Sequence, residues 1–361
     1  MAFTAYSLLT GALLLAAPAL AQVMPADTTR RAPATLPTAP PADENFDQFG
    51  DAGDAGKSYN TQKVLYLTPT KLITVGYEAQ LPYDLTSTGP GLLPATAKTR
   101  VSAARGLRLA FNAPVISRNS LIVNLGLTYW DTALRLAQPD ASPYFQLLQN
   151  GLRTLGANAT VFKPLDKVHF LLFQANADAS GNYTTPGDIS GKNFTFSGTA
   201  IFGWKPNDNL QWGLGATRTY RAGQLLYVPV VLYNRTFSPQ WGVEVVFPAR
   251  AEVRRNFGTT ALLKFGYELE GNAYYVGQAA GSDVYVRRGE LKPRLTYEQQ
   301  LSGFVWLSAQ AGLRYNYRND AFRTQNPTAE RESLFGSEPA LFANKLTNPL
   351  YFNLSLNLVS P

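Results

Sequence analysis

Ionisable side chains stand at alternate positions of several apolar segments in the C-terminal half of the chain. Successive side chains of a β-strand point to opposite sides, so these groups share one face of their strands. A charge on the lipid face of a membrane strand costs about 2–4 kcal/mol at the midplane, which favours the inner face. The candidate lumen-facing residues are Lys264, Glu268, Glu290, Lys292, Arg294, Glu298 and Arg314.

Two roles fit such inward charges. In the first, they line a water-filled lumen and set its charge selectivity. In the second, Arg or Lys pairs with Glu across a narrow interior and holds it shut, which suits strands that carry both signs. Four further residues extend the pattern, three of them from a less regular region of the chain: Glu270, Glu244, Glu252 and Arg254.

Catalysis and metal chemistry have few candidate residues. The chain has one histidine, His169, and no cysteine. Acyl-transfer and protease sites need a base beside a nucleophile or an acid, and thiolate or haem sites need ligands that are missing here. His169 is in phase with Leu171 and Phe173 near a predicted turn, so we expect an outward residue of an interfacial belt. The expectation is therefore no enzyme activity, no cofactor and no metal.

The elements that position these residues are strands with one apolar and one polar face. In the last segment Leu354, Leu356 and Leu358 alternate with Ser355 and Asn357. Such alternation predicts an all-β, antiparallel, up-and-down transmembrane β-barrel, with fourteen strands favoured and twelve as the alternative. The predicted strands are 71–83, 98–112, 119–131, 152–162, 167–179, 193–204, 209–219, 225–234, 240–248, 250–256, 260–271, 285–298, 302–317 and 349–359.

The predicted connections alternate between short and long. Short Pro-, Asn-, Asp- and Gly-containing turns follow every second strand, as in the pair Lys163–Asp166 and Lys205–Asp208. Longer connections are predicted near 132–150, 180–192, 272–284 and 318–348. Outer-membrane barrels have short turns on the periplasmic side and long loops outside, so the clear turns and both termini are expected on the periplasmic side.

Composition bounds the remaining possibilities. Mean hydropathy is −0.13 and 12% of residues are aromatic. After the N-terminus no apolar run approaches the length of a membrane helix, which argues against a helical membrane protein. The net charge of +7 is spread through alternating segments without a basic helix, so nucleic-acid binding is not expected. A secreted β-sandwich is a weak alternative, because it would leave the regular alternation of connections unexplained.

The N-terminal region precedes the predicted barrel of residues 63–361. Residues 1–21 resemble a cleaved signal peptide, with an apolar stretch before the Ala19–Ala21 cleavage motif. Residues 22–62 are rich in Pro and Asp and predict a disordered periplasmic tail. The Gly-rich stretch 50–58 fails the spacing of a phosphate loop and is predicted to be linker.

The chain resembles the uncharacterised outer-membrane barrel families that are described as domains of unknown function. The signal peptide, the Pro-rich lead, the hairpin 228–248 and the closing strand 349–359 carry this resemblance. The strand count is also similar to that of small monomeric porins. The resemblance implies a Gram-negative outer-membrane location, with lipid and the barrel-assembly machinery as partners. That machinery generally recognises a terminal aromatic residue, whereas this chain ends in Val359-Ser360-Pro361.

Two functions follow from these expectations. The first is a passive, porin-like channel for small polar or anionic solutes. The alternative is a non-conducting barrel that acts through its extracellular loops in adhesion or assembly. A continuous open interior would favour the channel, whereas packing of segment 318–348 across the lumen would favour the scaffold.

Overall fold

The computed structural model describes residues 59–90, 96–220, 225–279, 281–325 and 340–360. The predicted signal peptide, most of the predicted tail and the Gly-rich stretch 50–58 lie outside these residues. So does the middle of the predicted loop 318–348.

Seventeen strands and one short α-helix, α1 (Pro143–Leu148), make up most of the described chain. The strands are β1 (Lys71–Gln80), β2 (Tyr83–Thr88), β3 (Thr96–Arg118), β4 (Leu121–Leu136), β5 (Leu152–Pro164), β6 (His169–Gly181), β7 (Phe194–Asn207), β8 (Leu210–Thr219), β9 (Leu226–Thr236), β10 (Trp241–Phe247), β11 (Arg250–Phe257), β12 (Ala261–Ala279), β13 (Ser282–Ser302), β14 (Val305–Leu313), β15 (Tyr315–Phe322), β16 (Ala343–Leu346) and β17 (Leu350–Val359). Single-turn 3₁₀ segments lie at Pro139–Ala141, Pro186–Asp188 and Gly191–Asn193.

Fourteen of the strands form a closed antiparallel ring. Each strand from β3 to β14 pairs with the next along the chain, and β14 pairs with β17. Strand β1 then pairs with β17 on one side and with β3 on the other, with Gln80 opposite Tyr351 and Ala104. The prediction of an up-and-down barrel of fourteen strands is confirmed, and the alternative of twelve is wrong.

The other three strands lengthen the wall at one end. Strand β2 continues β1 beyond Pro82, whose missing N–H interrupts the hydrogen-bond ladder. Strand β15 continues β14 beyond Arg314, and β16 precedes β17 and pairs with β2. The wall is therefore taller at these strands than the fourteen-strand ring alone.

Side-chain exposure follows the predicted two-residue period. On β17, Leu354 and Leu356 are 56% and 50% exposed, whereas Ser355 and Asn357 are 6% and 1% exposed. The outer face of the ring carries Leu, Phe, Tyr and Val, and the inner face carries most of the charged and amide groups. Among the described residues, no helix has both the length and the apolar character needed to cross a membrane.

Two features of the connections differ from the prediction. The predicted loop 272–284 is mostly strand, because the alternation of Tyr274 and Val276 with their neighbours continues to Ala279. Gly281, whose φ of 72° lies in the left-handed region that favours glycine, marks the tight turn instead. In addition, β10 and β11 have only seven and eight residues, and their two-residue turn lies at the end of the barrel that carries the long connections.

Candidate functional site

The interior of the barrel has two chemically different halves. We define the charged half as the inner faces of β1, β3, β10–β14 and β17, and the neutral half as the inner faces of β4–β9. The distinction rests on which residues the two-residue period turns inward, since the hydrogen-bonded wall is continuous around both.

Arg314 is the centre of the first ion-pair cluster in the charged half. Its side chain is 0% exposed and donates a hydrogen bond to Glu290 at 2.7 Å, and it also contacts Glu78. Lys292 bridges Glu270 at 2.8 Å and Glu78 at 3.2 Å. Arg108 adds a contact of 2.9 Å to Glu78 from the neighbouring strand. The cluster therefore ties β1, β3, β12, β13 and the end of β14 together across the interior.

A second cluster lies beside the first. Arg294 donates to Glu252 at 2.9 Å and also contacts Glu268. Lys264 lies 3.3 Å from Glu252 and 3.5 Å from Glu298. The Glu298 carboxylate is in turn 3.0 Å from Lys71. This cluster links β1, β11, β12 and β13.

The structure thus brings the seven predicted residues into one region and pairs each of them. Lys264 meets Glu298, Glu268 meets Arg294 and Glu290 meets Arg314, while Lys292 meets Glu78 and Glu270. Among the described residues, the inward ion pairs of the charged half join eight cations to seven carboxylates. Attraction between opposite charges at these distances offsets part of the free energy lost when the groups leave water, whereas a single buried charge would have no such compensation.

Three partners in these clusters are absent from the sequence-based candidates. Glu78 alternates with Tyr77 and Ala79, and Arg108 alternates with Leu107 and Leu109. The same two-residue period that selected the other residues therefore marks Glu78 and Arg108 as inward. Lys71 differs, because it begins its strand and has no alternation before it.

A cavity of about 120 Å³ lies against the neutral half, and Gly271 and Asn272 of β12 complete its lining. Hydroxyl and amide groups dominate its surface, and a chain of hydrogen bonds runs from Gln174 to Asn176 at 3.1 Å and on to Ser197 at 3.1 Å. The residues that line it are Thr128, Trp130, Thr154, Ala157, Asn158, Gln174, Asn176, Asp178, Ser197, Thr219, Tyr220, Gly271 and Asn272.

An apolar cluster built around α1 packs inside the barrel at the end that carries the long connections. Pro143 stands in the first turn of this helix, and the Ser142 hydroxyl accepts a hydrogen bond from the Tyr144 N–H at the cap. Tyr144 and Phe145 are 0% exposed, and the Tyr144 ring stacks on Phe342 at 5.7 Å. The helix lies in a predicted loop, and its burial was not predicted.

A second apolar cluster lies on the inner face toward the short turns. Its buried members come from four strands of the neutral half and are Phe162, Phe170, Ile201, Val230 and Leu232. Val246 of β10 packs against them. Phe162 and Phe170 are in ring contact at 5.0 Å. The cavity is thus one polar layer of the interior, with an apolar cluster toward each end of the barrel.

Residues 59–70, which we call the strap, cross the opening at the short-turn end. The Asn60 amide donates to the His169 carbonyl at 3.0 Å, and the Leu65 N–H donates to the Asp208 carbonyl at 2.8 Å. The Leu65 carbonyl accepts from Thr236 of β9 at 2.7 Å. In the ring of fourteen, β9 stands opposite β1, which begins at Lys71. Six residues therefore take the chain from one side of the opening to the other.

His169 lies on the outer face, in ring contact with Phe202 and Trp204. Its Nδ1 is 2.7 Å from the Asp166 carboxylate in the adjoining turn. Backbone N–H groups of His169 and Val168 hydrogen-bond to that carboxylate and lower the pKa of Asp166 to about 2. This contact organises a turn, and both groups are substantially exposed.

Several solved structures of outer-membrane proteins resemble the chain weakly. A Pseudomonas aeruginosa FadL homologue is 10% identical, with 80% of this chain and 90% of that chain covered and a TM-score of 0.39. The COG4313 outer membrane channel from Pseudomonas putida F1 is 14% identical, with 85% and 99% covered and a TM-score of 0.36. The Pseudomonas putida toluene transporter TodX is 9% identical, with 84% and 95% covered and a TM-score of 0.31. Similarity at this level carries no functional argument.

Sequence comparison is more specific about the family. No curated protein matches the chain. Residues 137–358, which are more than half of the sequence, match a family described only as a domain of unknown function. The chain belongs to this family, DUF6268.

Proposed function

We propose that the protein resides in the bacterial outer membrane and passes small, uncharged polar solutes along the neutral half of its interior. The route is gated: it is shut in the conformation described here and opens when the closing segments move. The sequence suggested polar or anionic solutes, and we propose uncharged polar solutes only.

The observation that carries this proposal is the nature of the two closures. The polar cavity is part of the wall, whereas α1 and the strap are segments that lie outside the fourteen-strand ring. Such segments can move without breaking the strand pairing that holds the barrel together. The ion pairs of the charged half, by contrast, fasten wall strands to each other and cannot open without exposing buried charges.

The ion pairs also argue against preference for anions. A cation attracts a passing anion only with the part of its field that a neighbouring carboxylate leaves uncompensated. Arg314 has Glu78 and Glu290 beside it, and Lys292 has Glu78 and Glu270. The cavity beside the neutral half offers hydrogen bonds from amides and hydroxyls, and among its described lining residues Asp178 is the one charged group, which suits uncharged solutes better than anions. We propose no catalytic role for either half.

The remaining expectations belong to the same proposal. Export through a cleaved signal peptide at residues 1–21 and insertion by the barrel-assembly machinery would deliver the chain to the outer membrane. The apolar outer face supports contact with lipid, since exposed Leu and Phe follow the two-residue period around the ring.

A non-conducting barrel is the second candidate. It is favoured by the buried cluster around α1 at one end of the interior and by the hydrogen bonds that hold the strap at the other. Such a barrel would act through the connections at the long-loop end.

A disulfide lock on the strap tests the proposal against this alternative. The chain has no cysteine, so the double replacement Leu65→Cys with Asp208→Cys places one thiol pair where the strap meets the β7–β8 turn. We expect wild-type protein in planar bilayers to open intermittently, the oxidised lock to stay closed and reduction to restore openings. Each single replacement is the matched control.

Two results would contradict the gated route. Equal openings in the oxidised and reduced lock would show that solutes do not pass the strap. A silent bilayer for wild-type protein and for the reduced lock, with folded barrel verified by its heat-modifiable gel mobility, would favour the non-conducting barrel.

A further inference from the structure

The cavity of the neutral half has the chemistry of a ligand site. We propose that it binds a small uncharged polyol or monosaccharide, a molecule with several neighbouring hydroxyl groups. This inference deepens the proposed function by naming a solute class, and it rests on that function only for the solute's passage. Binding itself requires only the cavity.

Groups that can both donate and accept hydrogen bonds dominate the lining of the cavity. Side-chain amides come from Asn158, Gln174, Asn176 and Asn272, and each amide carries both a donor and an acceptor. Hydroxyls of sugars and polyols also donate and accept, so one amide can bond two adjacent hydroxyl groups. An anion would find few positive charges here, and an apolar molecule would leave the amides without partners.

The cavity also holds polar groups whose hydrogen-bonding capacity is not used by the protein. Within the described part of the chain, the Asn158 amide and the Thr128 hydroxyl make no hydrogen bond to protein atoms. The Asn176 amide, by comparison, donates to Ser197 and accepts from Gln174. The unbonded groups can form hydrogen bonds with a ligand, and the bonded groups beside them are held in fixed positions.

The cavity has an aromatic surface in addition to its polar one. The Trp130 ring lines the same cavity, and the Arg108 guanidinium lies 5.2 Å from its centroid. Aromatic rings pack well against C–H groups, and sugars and polyols present C–H groups between their hydroxyls. Amides with one aromatic ring therefore complement both parts of such a molecule.

Two inward glycines on neighbouring strands keep the space open. Gly126 of β4 stands opposite Asn158, and Gly156 of β5 stands opposite both Thr128 and Asp178. A methyl group at Gly156 would collide with the Asp178 carboxylate and the Thr128 hydroxyl, and both are ends of side chains. Alanine at this position would displace these two groups from the cavity surface while leaving the wall intact.

The experiment is a calorimetric titration of the refolded full-length protein in detergent with glucose, and separately with glycerol as the smallest polyol. We expect saturable binding of at least one of them. Gly156→Ala and Asn176→Ala should each raise the dissociation constant about tenfold, which is the effect of losing one or two hydrogen bonds. Gly198→Ala is the matched control, because an added methyl group there meets nothing closer than 3.7 Å.

Each outcome decides the inference. No saturable heat with either compound, in protein that has the gel mobility of a folded barrel, would overturn it. Equal weakening by Gly156→Ala and Gly198→Ala would place the binding elsewhere and also overturn it. Saturable binding that only the cavity variants weaken would support it, even if planar bilayers stay silent, in which case the proposed passage fails and the binding site remains.

Discussion

The two halves of the barrel interior use the same wall to reach opposite results. In the charged half, long side chains reach across the interior and neutralise each other, so Arg314 and Glu290 are both 1% exposed or less. In the neutral half, shorter amides and hydroxyls with inward glycines leave a cavity. The comparison teaches that a fourteen-strand ring does not by itself determine an open lumen. The length and charge of the inward side chains determine it.

The largest difference between the halves should appear when one member of an ion pair is removed. Arg314→Met leaves the Glu78 and Glu290 carboxylates buried with one partner fewer, and we expect a loss of about 3–5 kcal/mol of unfolding free energy. Urea unfolding of the barrel in detergent micelles, followed by tryptophan fluorescence, measures the change. Arg255→Met on the outer face is the control, since its guanidinium lies over the Trp241 and Phe257 rings instead of a carboxylate. Similar losses in both variants would mean that the ion pairs do not distinguish the halves.

A smaller effect is expected from the matching change in the neutral half. Asn176→Ala removes hydrogen bonds to Gln174 and Ser197 beside a cavity that water can enter. The groups left behind can be solvated, so we expect a loss of about 1 kcal/mol in the same unfolding measurement. A loss as large as that of Arg314→Met would show that the neutral half is packed as rigidly as the charged half.

The smallest effect concerns the connection that joins β6 to β7 at the rim of the neutral half. The Asp188 carboxylate accepts hydrogen bonds from the Thr185 N–H at 2.8 Å and the Thr184 N–H at 3.1 Å, and these lower the pKa of Asp188. A lowered pKa in the folded state stabilises the connection above the ordinary pKa of about 4. This contribution is lost as the pH falls through the lowered value.

We therefore expect acid to loosen this connection without unfolding the barrel. The protection of the Thr184 and Thr185 amides against hydrogen exchange, measured relative to the intrinsic rate at each pH, should fall below about pH 4. The Asp188→Asn variant should exchange quickly already at neutral pH and respond less to acid. An equal response of the variant and the wild type would assign the acid effect to another group.

The ring of strands was predictable because the patterns that specify it lie within short segments of the sequence. Alternation with a period of two marks each strand and its inward face, and it predicts the inward direction of the charges from Lys264 to Arg314, which form ion pairs in the structure. Glu78 and Arg108 follow the same rule and were within reach of it. The regular short turns added the strand count, since each one joins neighbouring strands.

The cavity and its closures depend on contacts between residues far apart in the chain. Helix α1 has only six residues and is stabilised by packing against Phe342, which no local pattern indicates. Asn60 belongs to a segment that was predicted to be tail, and its hydrogen bond to His169 spans 109 positions. Gly156 clears space for Thr128 and Asp178 only because the register brings three strands side by side. Composition and periodicity do not indicate which distant residues come into contact.

If the barrel lies in a membrane as proposed, the short hairpin β10–β11 has a consequence for the lipid around it. A strand of seven residues extends about 23 Å along its own axis and about 16 Å across a bilayer at a 45° tilt, less than the usual apolar band of about 25 Å. The neighbouring β12 has nineteen residues. Acyl chains beside the hairpin must therefore compress or splay to match its height, so hydrophobic mismatch is concentrated on one side of the barrel. Membrane thickness would then act on this protein from a single direction.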